Sequence, residues 1–427
     1  MPLFRGKLVQ LKTNVAGQSL VLIFALFAAL WSASAVQAAS VLDPDACKLA
    51  GRWLDPNTGK ALKPRNLLSR LSKQSVVLLG ESHTVKEHHL WQAQMLSGLH
   101  AYKPNLVIGF EMFPRSAQPV LDQWSKGLLS ESQFLKKSGW DKVWGYGSSF
   151  YMPLFNIARQ NRLPIVALNV ERKLVSRVGK EGWKAVPVSE REGLSDPAQA
   201  SNAYRLGLAN VYRQKLKHRR PTDQQSSGSE SEANLATIIE SEGFGRFVDA
   251  QLTWDRAMAE ALAEAKKNNP DALVVGVLGR GHIEYGYGVP HQLADLGVKD
   301  VSVLLPVEVG GVCENLESNI ADAVFLVGKE EETKSPQQKP RLGVMIEKAK
   351  NGVRVLKVLD GSVAQTAKMA AGDIIVKAAG LALQDSGDLI KIIQQQTPGT
   401  WLPMRIQRGD QNLQLIAKFP MLTETSP

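Results

Sequence analysis

Cysteine is nearly missing: Cys47 and Cys313 are the two in 427 residues. A fold stapled by several disulfides is excluded, and one bridge at most is possible. In an oxidising compartment that pair is the natural disulfide candidate, with two unpaired buried thiols as the alternative. Long apolar runs are also missing. The longest, Leu20 to Leu30, is short of the roughly 20 residues a membrane span needs. It follows Arg5, Lys7 and Lys12 and precedes small residues up to Val36-Gln37-Ala38, so residues 1–38 read as a secretory signal cleaved near Ala38. A retained signal anchor is the alternative. No cysteine directly follows the apolar run, so nothing there marks a lipid-modified N-terminus. Dense basic patches are absent too. The formal charge of +10 falls to +7 when Arg5, Lys7 and Lys12 leave, and what remains is spread out. That argues against nucleic acid as a partner and leaves room for an anionic small ligand or a membrane surface.

What is present is ordinary for a soluble globular chain, at 44% apolar and 22% charged residues, and the length suits two or three domains. The stretch Val76-Val77-Leu78-Leu79-Gly80-Glu81-Ser82-His83 organises the first part: a short buried strand, broken by glycine, opening into a helical pattern. Similar buried strands follow at Leu106–Phe113, Pro164–Val170, Ala272–Leu278 and Val301–Val309, separated by helical segments. Alternation of this kind predicts an α/β fold with a mostly parallel sheet flanked by helices. Residues 131–160 are rich in aromatics and read as a loop feeding a helix that starts near Tyr151, with Pro153 in its first turn. The helix expected from Phe244 to Lys267 carries Phe247, Gln251, Trp254, Met258, Ala261 and Leu262 as a packing stripe. Residues 221–234 have a composition that cannot bury a core and read as a mobile insertion.

Four of the five strands end in polar side chains: Glu81 with His83, Glu111, Asn169, and His282. Parallel strands align their carboxyl ends, where ligands bind in open α/β sheets. Glu81, His83, Glu111 and His282 could hold zinc or another divalent metal and activate water. Beside Tyr151, Tyr285, Tyr287 and the aromatic loop, the same groups could receive a planar cofactor, and phenolate is a haem-iron ligand.

Six segments in matching order carry a resemblance. They are Gly80–His83, Phe110–Phe113, Tyr151-Met152-Pro153-Leu154-Phe155, Ala167-Leu168-Asn169, Gln251–Ala259 and Gly281–Pro290. Together they resemble the ChaN family of haem-binding uptake proteins, over roughly residues 65 to 310. The resemblance implies an α/β domain with a helical subdomain (39–325 here), haem as cofactor near a homodimer interface, and a tyrosine axial ligand matching Tyr151. His83, His88, His89 and His282 are candidates for the propionate side, with Glu81, Glu111, Asn169 and Tyr287 as further cofactor contacts. The family is often lipidated, which this N-terminus does not support. It is similar to a wider group of Tiki-type metalloproteases and erythromycin-esterase-like hydrolases, so a metal-dependent hydrolase is the alternative to a binding protein.

After a charged linker at 326–340, residues 341–420 resemble a bacterial PDZ domain, a small β/α unit. The carrying pieces are Arg341–Ile346, the strand Val353–Val358, Gly361–Ala364, Ala371–Val376 and the apolar stripe near Leu389–Ile393. The resemblance implies a groove, with Leu342, Gly343, Val344, Met345, Ile346, Leu389 and Ile393 around an added peptide strand or protein C-terminus. The expectation is an exported protein, periplasmic or associated with the cell envelope, that holds haem for uptake, storage or relay and docks a partner. A non-catalytic scaffold acting through the second domain is the further alternative.

Overall fold

The structure is a computed structural model and describes residues 49–219, 235–310, 316–329 and 340–421. The signal segment, Cys47, Cys313, the 221–234 insertion and most of the linker lie outside the described residues. The chain forms two compact units, divided at residues 330 and 331.

The first unit is an eight-stranded sheet: β1 (Trp53–Leu54), β2 (Ala61–Leu62), β3 (Val76–Glu81), β4 (Leu106–Pro114), β5 (Ile165–Asn169), β6 (Leu273–Gly279), β7 (Val301–Glu308) and β8 (Ala323–Val327). Its order is β2-β1-β8-β7-β3-β6-β4-β5. Strands β3 to β8 are mutually parallel, and only the short β1–β2 hairpin runs antiparallel on one edge. The five expected strands are therefore present, with three more. Strand β8 carries the sheet two residues past the boundary placed at 325.

The continuous apolar runs exist because each strand is buried on both faces. Alternate side chains point to opposite sides. Val77, Leu79, Ile108, Phe110, Val275 and Val277 pack with Trp91, Met95 and Leu99 of the Lys86–Tyr102 helix. Val76, Leu78, Val107, Val274 and Leu278 pack instead on Met258, Ala261 and Leu262 of the Glu242–Asn268 helix. Full burial of each such aliphatic side chain contributes about 1.5–3 kcal/mol.

The long helix begins two residues earlier than expected, where the Ser241 hydroxyl accepts the Phe244 N–H at 3.2 Å. Of the expected stripe on this helix, Met258, Ala261 and Leu262 pack on the sheet. Its core-facing residues include Val248, Leu252, Asp255, Ala259 and Leu262, while Phe247, Gln251 and Trp254 are only half-buried. This helix is apolar on more than one face, so spacing alone did not distinguish the two stripes. Its first half forms a helical subdomain with the Asn202–Arg219 and Leu235–Glu240 helices around Tyr204, Leu208, Phe244 and Val248.

The second unit is an antiparallel sheet of β9 (Val344–Ala349), β10 (Gly352–Val358), β11 (Ile374–Ala378), β12 (Leu381–Ala382), β13 (Trp401–Arg408) and β14 (Gln411–Lys418). Its main path is β14-β13-β11-β10-β9, with β12 on β11, and a helix spans Ser386–Gln394.

Candidate functional site

Strand order explains why the polar ends meet. β3, β6, β4 and β5 are consecutive neighbours, so the residues that leave their carboxyl ends converge on one stretch of sheet edge. The His83 imidazole donates from Nδ1 to Glu81 Oε1 at 2.5 Å. On the other side His282 donates from Nδ1 to Asp255 Oδ1 at 2.6 Å, and the Tyr204 hydroxyl donates to Asp255 Oδ2 at 2.8 Å. Between these pairs stands Glu111, whose Oε2 accepts the Gly279 N–H at 2.5 Å and whose Oε1 lies 3.5 Å from His282 Nε2. Asn169 lies beside them, donating to the Glu111 carbonyl at 3.2 Å. Gly279 is required by space, not by backbone: a Cβ there would fall 2.8 Å from His83 Cε1.

Burial pushes the Glu81 and Asp255 carboxyls above the usual range. Burial alone would lower both imidazoles, yet they rise. The hydrogen bond and charge of Glu81 raise His83, and the charge of Glu111 with the Asp255 hydrogen bond raises His282 to about 9. His282 is therefore a cation at neutral pH, flanked by two carboxyl groups.

These groups open into a groove of about 380 Å³. His83, Glu111, Asn169 and His282 line its floor. Trp144, Tyr146 and Trp254 form aromatic walls, and Lys142 and Arg172 stand in it as cations. Trp144 and Tyr146 pack on His83 with ring centroids 4.8 and 5.0 Å away.

Several expected site residues lie elsewhere. Tyr151 is not at a helix mouth. The helix starts at Ser148, Pro153 sits inside it, and Tyr151 is fully buried between His89, Trp140 and Trp144. Burial and the charge of Glu81 hold its phenol far above the ordinary value, against the phenolate form. Its hydroxyl, Glu81 Oε2 and Trp144 Nε1 are all buried, and none of the three meets a hydrogen-bond partner among the described residues. Phe134, Trp140 and Phe155 also plug the core, leaving Trp144 and Tyr146 as the aromatics of that segment that reach the groove. His88 and His89 are buried, and burial lowers both to about 4, so they are neutral and remote from any propionate role. Tyr287 packs at a tilt against Tyr204 and Tyr285, beside the helical subdomain's core. Glu81 orients His83 from behind instead of lining the groove. The four-residue metal set does not form either: each imidazole Nδ1 is turned to its own carboxylate, and no group of three or more His, Cys, Asp or Glu side chains among the described residues is placed to hold a metal ion.

Asp255, Tyr204, Lys142 and Arg172 join the site without any motif that marks their roles. Asp255 carries a signal in the sequence: a lone acid on a helix face otherwise rich in Ala, Leu and Met.

In the second unit β9 is an edge strand that, among the described residues, pairs with β10 alone. Leu342, Leu389 and Ile393 are buried in the core, whereas Val344 and Ile346 are half-buried and Met345 is exposed. Gly343 has φ +79°, and a Cβ on it would meet Ser362 Cβ at 2.2 Å. The Asp385 carboxylate caps the helix by accepting the Gly387 and Asp388 N–H groups at 2.8 and 3.1 Å.

A mostly parallel sheet with a polar crevice at its strand ends defines the first unit as an α/β ligand-binding domain. Residues 67–293, just over half of the chain, match the family described as haem-binding uptake, Tiki superfamily, ChaN. The chain belongs to that family, and residues 340–418 form a PDZ domain. ChaN of Campylobacter jejuni, solved with cofacially bound haem, is 19% identical, covers 64% of this chain and 95% of its own, and superposes with a TM-score of 0.50, a likeness of fold. The HtrA3 PDZ domain bound to a phage-derived ligand is 25% identical over 18% of this chain and 82% of its own, at a TM-score of 0.17. A serine endoprotease from Yersinia pestis is 22% identical over 19% of this chain and 29% of its own, also at 0.17. No curated protein matches the chain.

Proposed function

We propose that the groove at the ends of β3, β4, β5 and β6 binds haem, and that the PDZ domain docks a peptide or protein C-terminus. One observation carries the first part: aromatic walls, two cations and a phenol share a single groove with two imidazoles. Its volume lies in the range of small-ligand sites, about 300–1,000 Å³. Trp144, Tyr146 and Trp254 suit the porphyrin faces, Lys142 and Arg172 suit the propionates, and a phenolate suits the iron. Tyr146, on the groove, is the donor we favour over Tyr151, which Trp144 seals off. Bound haem would supply redox-active iron, while the chain's own residues bind and orient it and keep one wall charged through His282. The edge strand β9 supports strand addition by a peptide.

The chain is proposed to be exported and its leader removed near Ala38, for which N-terminal sequencing of the mature protein is the check. A haem-linked homodimer is tested by sizing with and without haemin. For the site, haemin spectra of Tyr146→Phe and Tyr151→Phe decide. A Soret band altered by Tyr146→Phe and kept by Tyr151→Phe supports this assignment, and the reverse pattern returns the ligand role to Tyr151.

A further inference from the structure

A second groove lies in the helical subdomain, with a volume of about 530 Å³. It is formed by the Arg172–Glu181, Asn202–Arg219 and Glu242–Asn268 helices, and it shares Arg172 and Trp254 with the groove described above. Phe247 and Trp254, the aromatics displaced from the packing face of the long helix, and Tyr212 give it an aromatic lining. Arg172, Lys180, Lys215 and Arg246 also line it, and no acidic side chain among the described residues does. Arg246 is paired with Glu242. Lys180 and Lys215 have no carboxylate partner among the described residues, and Lys215 sits 5.2 Å over the Phe247 ring. Cations gathered from three helices over an aromatic surface, with no acid between them, raise the local concentration of anions that carry apolar bodies.

We infer that this groove is a separate binding site for an amphipathic anion, with a phosphate, sulfonate or carboxylate head held by Lys180 and Lys215 and an apolar body laid on Tyr212, Phe247 and Trp254. The inference does not depend on haem occupying the neighbouring groove. The ligand could be a free molecule or a lipid headgroup, and both sources present the same chemistry.

The full chain without haem is titrated with 8-anilinonaphthalene-1-sulfonate, followed by displacement with dodecyl phosphate or with neutral octyl glucoside. Sedimentation with phosphatidylglycerol vesicles and with phosphatidylcholine vesicles forms the second arm. Lys180→Glu/Lys215→Glu changes two exposed side chains, and a far-ultraviolet circular dichroism spectrum unchanged from the native chain reports an intact fold. The expected result is displacement by dodecyl phosphate, or capture on the anionic vesicles alone, weakened about tenfold or more in the double variant and at high salt. Displacement by soluble anion without vesicle capture identifies a free ligand, and capture identifies a membrane source. Equal displacement by octyl glucoside, affinity unchanged in the double variant, or binding in neither arm overturns the inference.

Discussion

His282 makes the first unit less stable in alkali, by an amount the site geometry sets. Its pKa rises from 6.5 to about 9, because the charge of Glu111 and the hydrogen bond and charge of Asp255 outweigh burial. The folded chain therefore keeps a proton that the unfolded chain releases. Such a group contributes its full stability below pH 6.5 and loses it as pH climbs through about 9. The displacement corresponds to about 3 kcal/mol, lost at up to about 1.4 kcal/mol per pH unit. Glu81 and Asp255, raised by burial, carry the same sign from a more acid starting point, their contributions being complete below pH 4.5 and 3.8 and falling as pH rises above those values. Urea unfolding at pH 6.5, 8 and 9.5 measures this. Tryptophan fluorescence is the probe, because Trp53, Trp91, Trp124 and Trp140 are buried in the first unit. We expect a falling free energy for the native chain and a flatter profile for His282→Gln. A native profile level from 6.5 to 9.5, or the same slope in His282→Gln, refutes the reasoning.

Other outcomes follow from the same geometry. Burial holds His89 near 4, so its stabilising contribution is complete above pH 6.5 and is lost as pH falls toward 4. His89→Phe should move the acid-unfolding midpoint to lower pH, read by circular dichroism. Gly279→Ala forces His83 aside and should cost about 1–3 kcal/mol in urea unfolding, with haemin affinity weakened. Leu389→Ala removes a fully buried side chain from the PDZ core, so it should destabilise that unit by about 2–5 kcal/mol while the haemin titration stays unchanged.

The fold was legible because buried parallel strands announce themselves as apolar runs, and the polar residues ending them were legible for the same reason. Glu81, His83, Glu111, Asn169 and His282 do come together. What the sequence could not resolve was direction. Tyr151 and Tyr146 are five residues apart, and only the helix start at Ser148 decides that one faces the core and the other the groove. The Glu242–Asn268 helix offers two apolar stripes, and only the neighbouring sheet selects which is buried. Two-residue strands such as β1 and β2 leave too short a pattern to read. In the PDZ domain, Leu342, Leu389 and Ile393 look the same in sequence whether they line a groove or fill the core beneath it.

Haemin titration of the purified chain separates a haem-binding groove from one that takes no porphyrin. A saturable Soret shift, weakened by replacing Lys142 and Arg172 with alanine and changed in wavelength by Tyr146→Phe, is expected. A spectrum no different from free haemin, or one indifferent to all three substitutions, would contradict it.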